Sequence, residues 1–120
     1  MKTVADKTRV KGKIAEDKAC DYLQKQGLKL VEKNYYCRSG EIDLIMQDKQ
    51  ELVFVEVRYR AKDDFGSALD SVDQHKIKKL ISAANHYIST HQTDQPMRFD
   101  VIGFDASLKP NWVSNAFSAF

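Results

Sequence analysis

Leu52-Val53-Phe54-Val55-Glu56-Val57-Arg58 is the stretch that sets the architecture. Its β-branched and aromatic residues read as a strand over 52–59. Side chains alternate faces along a strand, so Leu52, Phe54, Glu56 and Arg58 share one face and Val53, Val55 and Val57 take the other. Both faces are apolar apart from Glu56 and Arg58. That pattern predicts a central strand covered on both sides. An acid on such a strand needs a partner, because carboxylates are seldom buried without one.

Working outward, Gly40-Glu41-Ile42-Asp43-Leu44-Ile45 precedes this strand. Residues 41–46 and 52–59 read as a hairpin around Asp48-Lys49-Gln50-Glu51, with Glu41, Asp43 and Ile45 on one face of the first arm. Residues 28–37 read as an earlier strand, and Ser39-Gly40 is a turn signal. Before it, Ala15, Ala19, Tyr22 and Leu23 recur at helical spacing over residues 10–26, and Gly27 is placed to end that helix. Residues 1–9 are polar and read as a flexible N-terminal arm, which leaves 10–120 as a single domain.

Downstream, residues 60–70 form a polar loop with Gly66. Ser71 with Gln74 matches a capping box and opens a helix to about Ser89, with Ile77, Leu80, Ile81, Ala84 and Ile88 on one face. Residues 97–104 make a further strand, a short last strand holds Trp112-Val113, and Phe117 and Phe120 pack back on the body. The economical solution is an α/β fold: a central mixed sheet of four to five strands with helices packed on it.

The bulk composition removes several function classes. Hydrophobic content of 42% and charged content of 30% fit a globular chain rather than a disordered one. A net charge of +2 does not by itself imply a nucleic-acid partner, so any basic surface must come from how the 19 Lys and Arg residues are distributed. Cys20 and Cys37 are too few for a disulfide framework or a four-cysteine zinc site. Free thiols, an N-terminus without an apolar core and no run near the ~20 apolar residues of a membrane span give the expectation of a cytoplasmic protein that does not engage a membrane.

The chemistry lies in the acids. Hard divalent ions such as Mg²⁺ take oxygen ligands, commonly one or two carboxylates with waters and substrate phosphates. Asp43 and Glu56 supply such ligands if their side chains converge. Arg58, on the same face as Glu56, can hold a phosphate or stabilise charge developing on it. Glu16 falls on the stripe of Ala19 and Leu23 that faces the sheet, and is a candidate third carboxylate. Gly12, one turn earlier, would allow a close backbone approach.

Gly12-x-x-x-Glu16, Gly40-Glu41-Ile42-Asp43-Leu44-Ile45 and Phe54-Val55-Glu56-Val57-Arg58, in that order, resemble the PD-(D/E)xK nuclease superfamily. The resemblance is closest to the archaeal Holliday-junction resolvases and, more narrowly, to the YraN family of small bacterial endonuclease-like proteins. It extends through Lys76, Arg98-Phe99-Asp100-Val101 and Asn115-Ala116-Phe117, covering residues 10–118. The resemblance implies a restriction-endonuclease-like α/β/α core and Mg²⁺-dependent endonuclease activity on structured, branched DNA, with Mn²⁺ as a substitute ion. By position, Asp43 and Glu56 would be metal ligands and Glu16 the accessory helix carboxylate. Arg58 stands where the superfamily carries its catalytic lysine. Arginine stays protonated and cannot act as a base, so a nucleic-acid-binding module with a degenerate site is the alternative. A homodimer is the expected assembly, because junction-cutting enzymes of similar fold cut two strands symmetrically.

Further candidates line up beside these. Arg38, Tyr59, Arg60, Lys76 and Lys79 are candidate contacts to a nucleic-acid backbone, with Lys76 and Lys79 on one side of their helix. Tyr35 and Tyr36 either stack on nucleic acid or serve the core. Glu41 is an alternative ligand ranked below Asp43, since it sits nearer the turn and has Arg38 close by. His75, His86 and His91 have no ligand spacing and read as surface residues. The competing structural reading has one acid capping a turn and Glu56 paired with Arg58, in a protein that serves as an adaptor.

Overall fold

The computed structural model describes residues 4–59 and 68–119, with side chains described from residue 12 onward. Its regular elements are α1 (Val4–Lys25), β1 (Lys29–Cys37), β2 (Gly40–Asp48), β3 (Glu51–Tyr59), a 3₁₀ turn (Ala68–Ser71), α2 (Gln74–His91), β4 (Met97–Phe104) and β5 (Pro110–Phe117). The strands form one sheet in the order β1-β2-β3-β4-β5. Only β3 and β4 run parallel; the other neighbours are antiparallel. A parallel pair needs a long crossover, and the segment containing the 3₁₀ turn and α2 supplies it.

The 52–58 run lies inside β3, between β2 and β4, as its two apolar faces require. Val53 and Val55 pack with Ala15, Ala19, Cys20 and Leu23 of α1 on one face. Leu52 and Phe54 pack with Ala83, Ala84 and Tyr87 of α2 on the other. The result is a mixed α/β fold with one helix on each side of the sheet, compatible with a restriction-endonuclease-like core. No helix of the described residues is long and apolar enough to cross a membrane.

α1 ends as the glycine predicts. Gly27 takes φ +103°, and the N–H groups of Gly27 and Leu28 donate to the carbonyls of Gln24 and Leu23 at 3.0 Å each. This is a Schellman closure, sealed by Leu28 and Leu23 in the same core cluster. The helix begins at Val4, so the arm expected over 1–9 falls partly within it and partly, at residues 1–3, outside the described residues. Most of the expected 60–70 loop, and Phe120, also lie outside them.

Three local expectations are corrected. The cap of α2 is Asp73, whose Oδ1 accepts the Lys76 N–H at 2.8 Å. Ser71 instead donates to the Ala68 carbonyl inside the 3₁₀ turn. Both are cap-type residues, and Asp73 holds the helix start because it lies three residues before the Lys76 N–H, while Ser71 is taken up by the preceding turn. The last strand is longer than Trp112-Val113 because β5 pairs with β4 from Pro110 to Phe117 across a register shift. Phe117 does pack back, stacked on Phe99 at 4.9 Å. Finally, a Cβ on Gly12 would meet nothing within 4 Å, so no close approach explains that glycine. Gly103 is the position that needs one: a Cβ there would stand 2.7 Å from the Ala68 Cβ, where the 3₁₀ turn lies against β4.

Candidate metal and phosphate site

The sheet creates the site by coming apart. β2 and β3 pair from Asp48↔Glu51 to Leu44↔Val55. Beyond Leu44, β2 stays with β1 as far as Cys37↔Gly40. Asp43 stands where β2 and β3 part, and its Oδ2 accepts the Val57 N–H at 2.8 Å. A carboxylate thus takes over a backbone donor that a continued ladder would have used. The alternation of β2 slips at the same point: Ile42 packs with α2, whereas Leu44 packs with α1. Glu41 and Asp43 therefore turn away from Ile45, which packs with α2, and do not share its face as the simple alternation predicted.

Asp43 is the meeting point of two groups. On one side, carboxylate oxygens of Glu16, Glu41 and Asp43 all lie within 4.8 Å of one another. On the other side, Asp43 interacts directly with Glu56, which is only 4% exposed. Glu56 Oε2 has two cations near it: Arg58 Nε at 3.1 Å and Lys76 Nζ, from the first turn of α2, at 3.7 Å. The Arg58 contact is an ion pair without hydrogen-bond alignment, and Glu56 Oε1 is buried with no partner. The two-residue spacing on one strand lets the charges approach but does not aim the guanidinium.

Electrostatics follow from this crowding. Burial and the neighbouring Glu56 charge push the Asp43 carboxyl up to about 8. Burial also raises Glu56, against the pull of Lys76 and Arg58. Burial, then Asp43 and Glu41, raise Glu16. Like charges this close cannot all ionise, so the cluster retains a proton near neutral pH.

A hard divalent ion suits this donor set. The donors are all oxygen, and bonds near 2.1 Å put ligand oxygens at most about 4.2 Å apart, close to the observed spacing. Glu56 Oε1 has an unmet need for a cation or donor. Glu16, Glu41, Asp43 and Glu56 are the residues able to hold such an ion. Glu41, the alternative ligand in the sequence reading, lies in this carboxylate group with Asp43 and Glu16. The Arg38 pairing considered for it is not what forms. Its neighbour is Tyr36, directly across the β1–β2 ladder.

The remaining candidates scatter around this centre. Arg38 is exposed in the β1–β2 turn. Lys79 is exposed on α2 and passes over that turn, with its Cβ 3.8 Å from where a Cβ on Gly40 would be. A Ser82–Ser39 hydrogen bond of 2.8 Å ties the turn to α2. Tyr59 is partly buried against the α1 core cluster. Arg60 lies outside the described residues. Tyr35 is a core tyrosine, its hydroxyl 2.5 Å from His86 Nδ1. His91 stacks on Tyr87 at 3.9 Å, so two of the exposed histidines buttress aromatic rings.

Residues 15–104 match the uncharacterised protein family UPF0102. A UPF0102 protein of Psychromonas ingrahamii is 51% identical over 108 residues, covering 89% of this chain and 88% of the relative. One from Nitrosococcus oceani is 48% identical over 114 residues, covering 91% and 92%. Another, from Legionella pneumophila, is 49% identical over 115 residues, covering 93% and 98%. The matched stretch contains Glu16, Glu41, Asp43, Glu56, Arg58 and Lys76.

Proposed function

The chain belongs to the uncharacterised protein family UPF0102, and we propose that it is a Mg²⁺-dependent endonuclease of the PD-(D/E)xK type, YraN-like, acting on branched DNA in the cytoplasm as a homodimer. The observation that carries this reading is the convergence of Asp43 with Glu16 and Glu41 on one side and Glu56 on the other, with one Glu56 oxygen buried and unpartnered. Asp43 and Glu56 would hold the ion, with Glu16 and Glu41 as further oxygen donors beside it. When bound there, Mg²⁺ would supply polarisation of the phosphate and a more nucleophilic water.

The protein's own side chains do the rest. Water attacks phosphorus, the bond to one sugar oxygen breaks, and the products are a phosphate end and a hydroxyl end. Lys76 and Arg58 both approach Glu56 Oε2 and are placed to hold the attacking water and the non-bridging phosphate oxygens. Lys76 offers an amine on the site from α2, which answers the absence of a lysine on β3. Arg38 and Lys79, exposed together at the turn beneath α2, extend positive charge away from the acids for the flanking backbone.

The test is incubation of labelled branched, splayed-arm and single-stranded DNA with Mg²⁺, Mn²⁺ or chelator. Cleavage that needs the ion and disappears in Asp43→Asn and Glu56→Gln is expected. Arg58 in the lysine position favours a second reading, a binding module without catalysis; salt-sensitive binding with no cut in either ion would establish that instead. No binding and no cleavage would sink both.

A further inference from the structure

A cleft of about 410 Å³ opens beside the acids, lined by Gly12, Lys13, Glu16, Asn34, Tyr36 and Glu41. Two of these, Glu16 and Glu41, belong to the carboxylate trio, so the cleft and the ion site share a wall. Tyr36 is 69% exposed, the most exposed large hydrophobic side chain among the described residues. The backbone explains why it is there. Tyr36 lies opposite Glu41 in the β1–β2 ladder, so the two side chains stand together on one face. Its neighbour Tyr35 takes the other face and is buried against Tyr87. Tyr36 therefore contributes nothing to the core, yet it holds an aromatic plane at the mouth of the cleft.

We propose that this cleft receives one unstacked nucleobase of the nucleotide flanking the scissile phosphate, with Tyr36 as its stacking platform. The inference rests on the nuclease reading and narrows its substrate class to DNA that has a splayed or unpaired nucleotide next to the cut. Four features favour a base over other occupants. The volume lies within the range of small-molecule sites and is ample for a single base. A tyrosine ring stacks on any base without sequence preference. The Asn34 amide lines the cleft and hydrogen-bonds Glu16, and its remaining donor and acceptor capacity can meet a base edge. The shared wall of Glu16 and Glu41 keeps the distance from ion to cleft short, as it must be for a phosphate and its own base. Continuous duplex cannot present a base this way without extrusion, so a branch point or single-strand junction is the natural substrate.

The experiment places 2-aminopurine on either side of the cleavage position in a splayed-arm duplex, with Ca²⁺ in place of Mg²⁺ so that binding is read without hydrolysis. Wild-type protein and Tyr36→Trp should quench one of the two positions and bind splayed-arm DNA in preference to continuous duplex. Tyr36→Ala should lose that quench and weaken splayed-arm binding by about 5- to 100-fold, with its melting temperature unchanged. An abasic site at the same position should remove the difference between wild type and Tyr36→Ala. If Tyr36→Ala binds, quenches and discriminates as wild type does while ion-dependent cleavage persists, the base-stacking inference is overturned and the nuclease reading stands. If wild type neither binds nor cleaves any of these DNAs, both are overturned.

Discussion

Two acid–arginine pairs sit on neighbouring central strands with the same two-residue spacing, and they end in opposite states. In β4, Arg98 donates to Asp100 from Nε at 3.0 Å and from Nη2 at 3.2 Å. Asp100, fully buried, also accepts from Trp112 Nε1 and the Asn115 N–H at 2.9 Å each. Arg98 reaches on to Asp48 and Glu51 at the β2–β3 turn, at 2.9 and 3.0 Å. Every charge in that network has its partners. In β3, Glu56 and Arg58 touch without alignment, one carboxylate oxygen has no partner, and a second acid, Asp43, presses on the first. Spacing along a strand is thus no guide to whether a pair is structural. What separates them is whether the surroundings satisfy the charges, and only the unsatisfied pair is left wanting a ligand.

The strongest way to break this contrast is to neutralise one acid at each centre: Asp100 in the satisfied network, and Asp43, which crowds Glu56 in the other. Asp100→Asn removes an ionic partner from a buried arginine and should cost about 3–5 kcal/mol of stability, read by urea denaturation. Asp43→Asn should leave the fold at least as stable at pH 8, because it relieves like-charge crowding. It should nevertheless abolish ion-dependent cleavage by about 10²- to 10³-fold. A large stability loss in Asp43→Asn would mean that the acid is structural after all.

The same contrast predicts an unusual pH dependence. Asp43 titrates at about 8 in the fold against an ordinary value of 3.8, so the native chain binds the proton that the unfolded chain releases. Stability should then be highest below about pH 4 for this group and fall as pH rises toward 8. Glu56, also raised, adds to the same slope. Mg²⁺ binds the ionised form and should recover the lost stability at pH 8, while Asp43→Asn should flatten the slope. Thermal melts from pH 4 to 9, with and without Mg²⁺, measure both; a melting temperature that climbs with pH would refute the crowding.

How much of this was legible beforehand follows from the same physics. The double-faced strand at 52–58, the glycine stop at Gly27 and the helix over 77–88 were readable, because period and turn chemistry are local. Asp43 and Glu56 stood out because acids are rare on such strands. Three things were hidden. The slip in alternation at Asp43 turned Glu41 and Asp43 away from the face of Ile45, and a slip of that kind leaves no mark on sequence period. Lys76 reaches Glu56 only because the crossover brings α2 over β3. Asp100 read as one motif position among others, since its partners Trp112 and Asn115 arrive from β5, which was expected to be shorter.

Lys76 and Arg58 sharpen the contrast at the level of a single cation. If Lys76 is the working amine, Lys76→Met should slow cleavage by about 10- to 100-fold with little change in DNA binding. Arg58→Lys should cleave several-fold faster than wild type, and in the Lys76→Met background it should restore at least about tenfold, since a lysine on β3 can reach the same oxygen. Single-turnover rates on splayed-arm DNA measure all three. Arg58→Lys without effect in either background would confine Arg58 to holding the phosphate.

The smallest effect expected is at Lys79, and it separates surface charge from buried charge. Lys79 is exposed above the β1–β2 turn, whereas Arg98 is largely enclosed by three carboxylates. A phosphate contact releases about one counterion, so Lys79→Gln should lower the slope of log binding constant against log salt by about 1. Its unfolding midpoint should stay put, because an exposed lysine with no ion pair among the described residues contributes little to stability. Arg98→Lys should do the reverse: it loses the fork that spans Asp48, Glu51 and Asp100, so stability falls while the salt slope holds. Lys79 therefore reports on the route of the DNA backbone past the turn, and a salt slope unmoved by its loss would send that backbone across another face of the sheet.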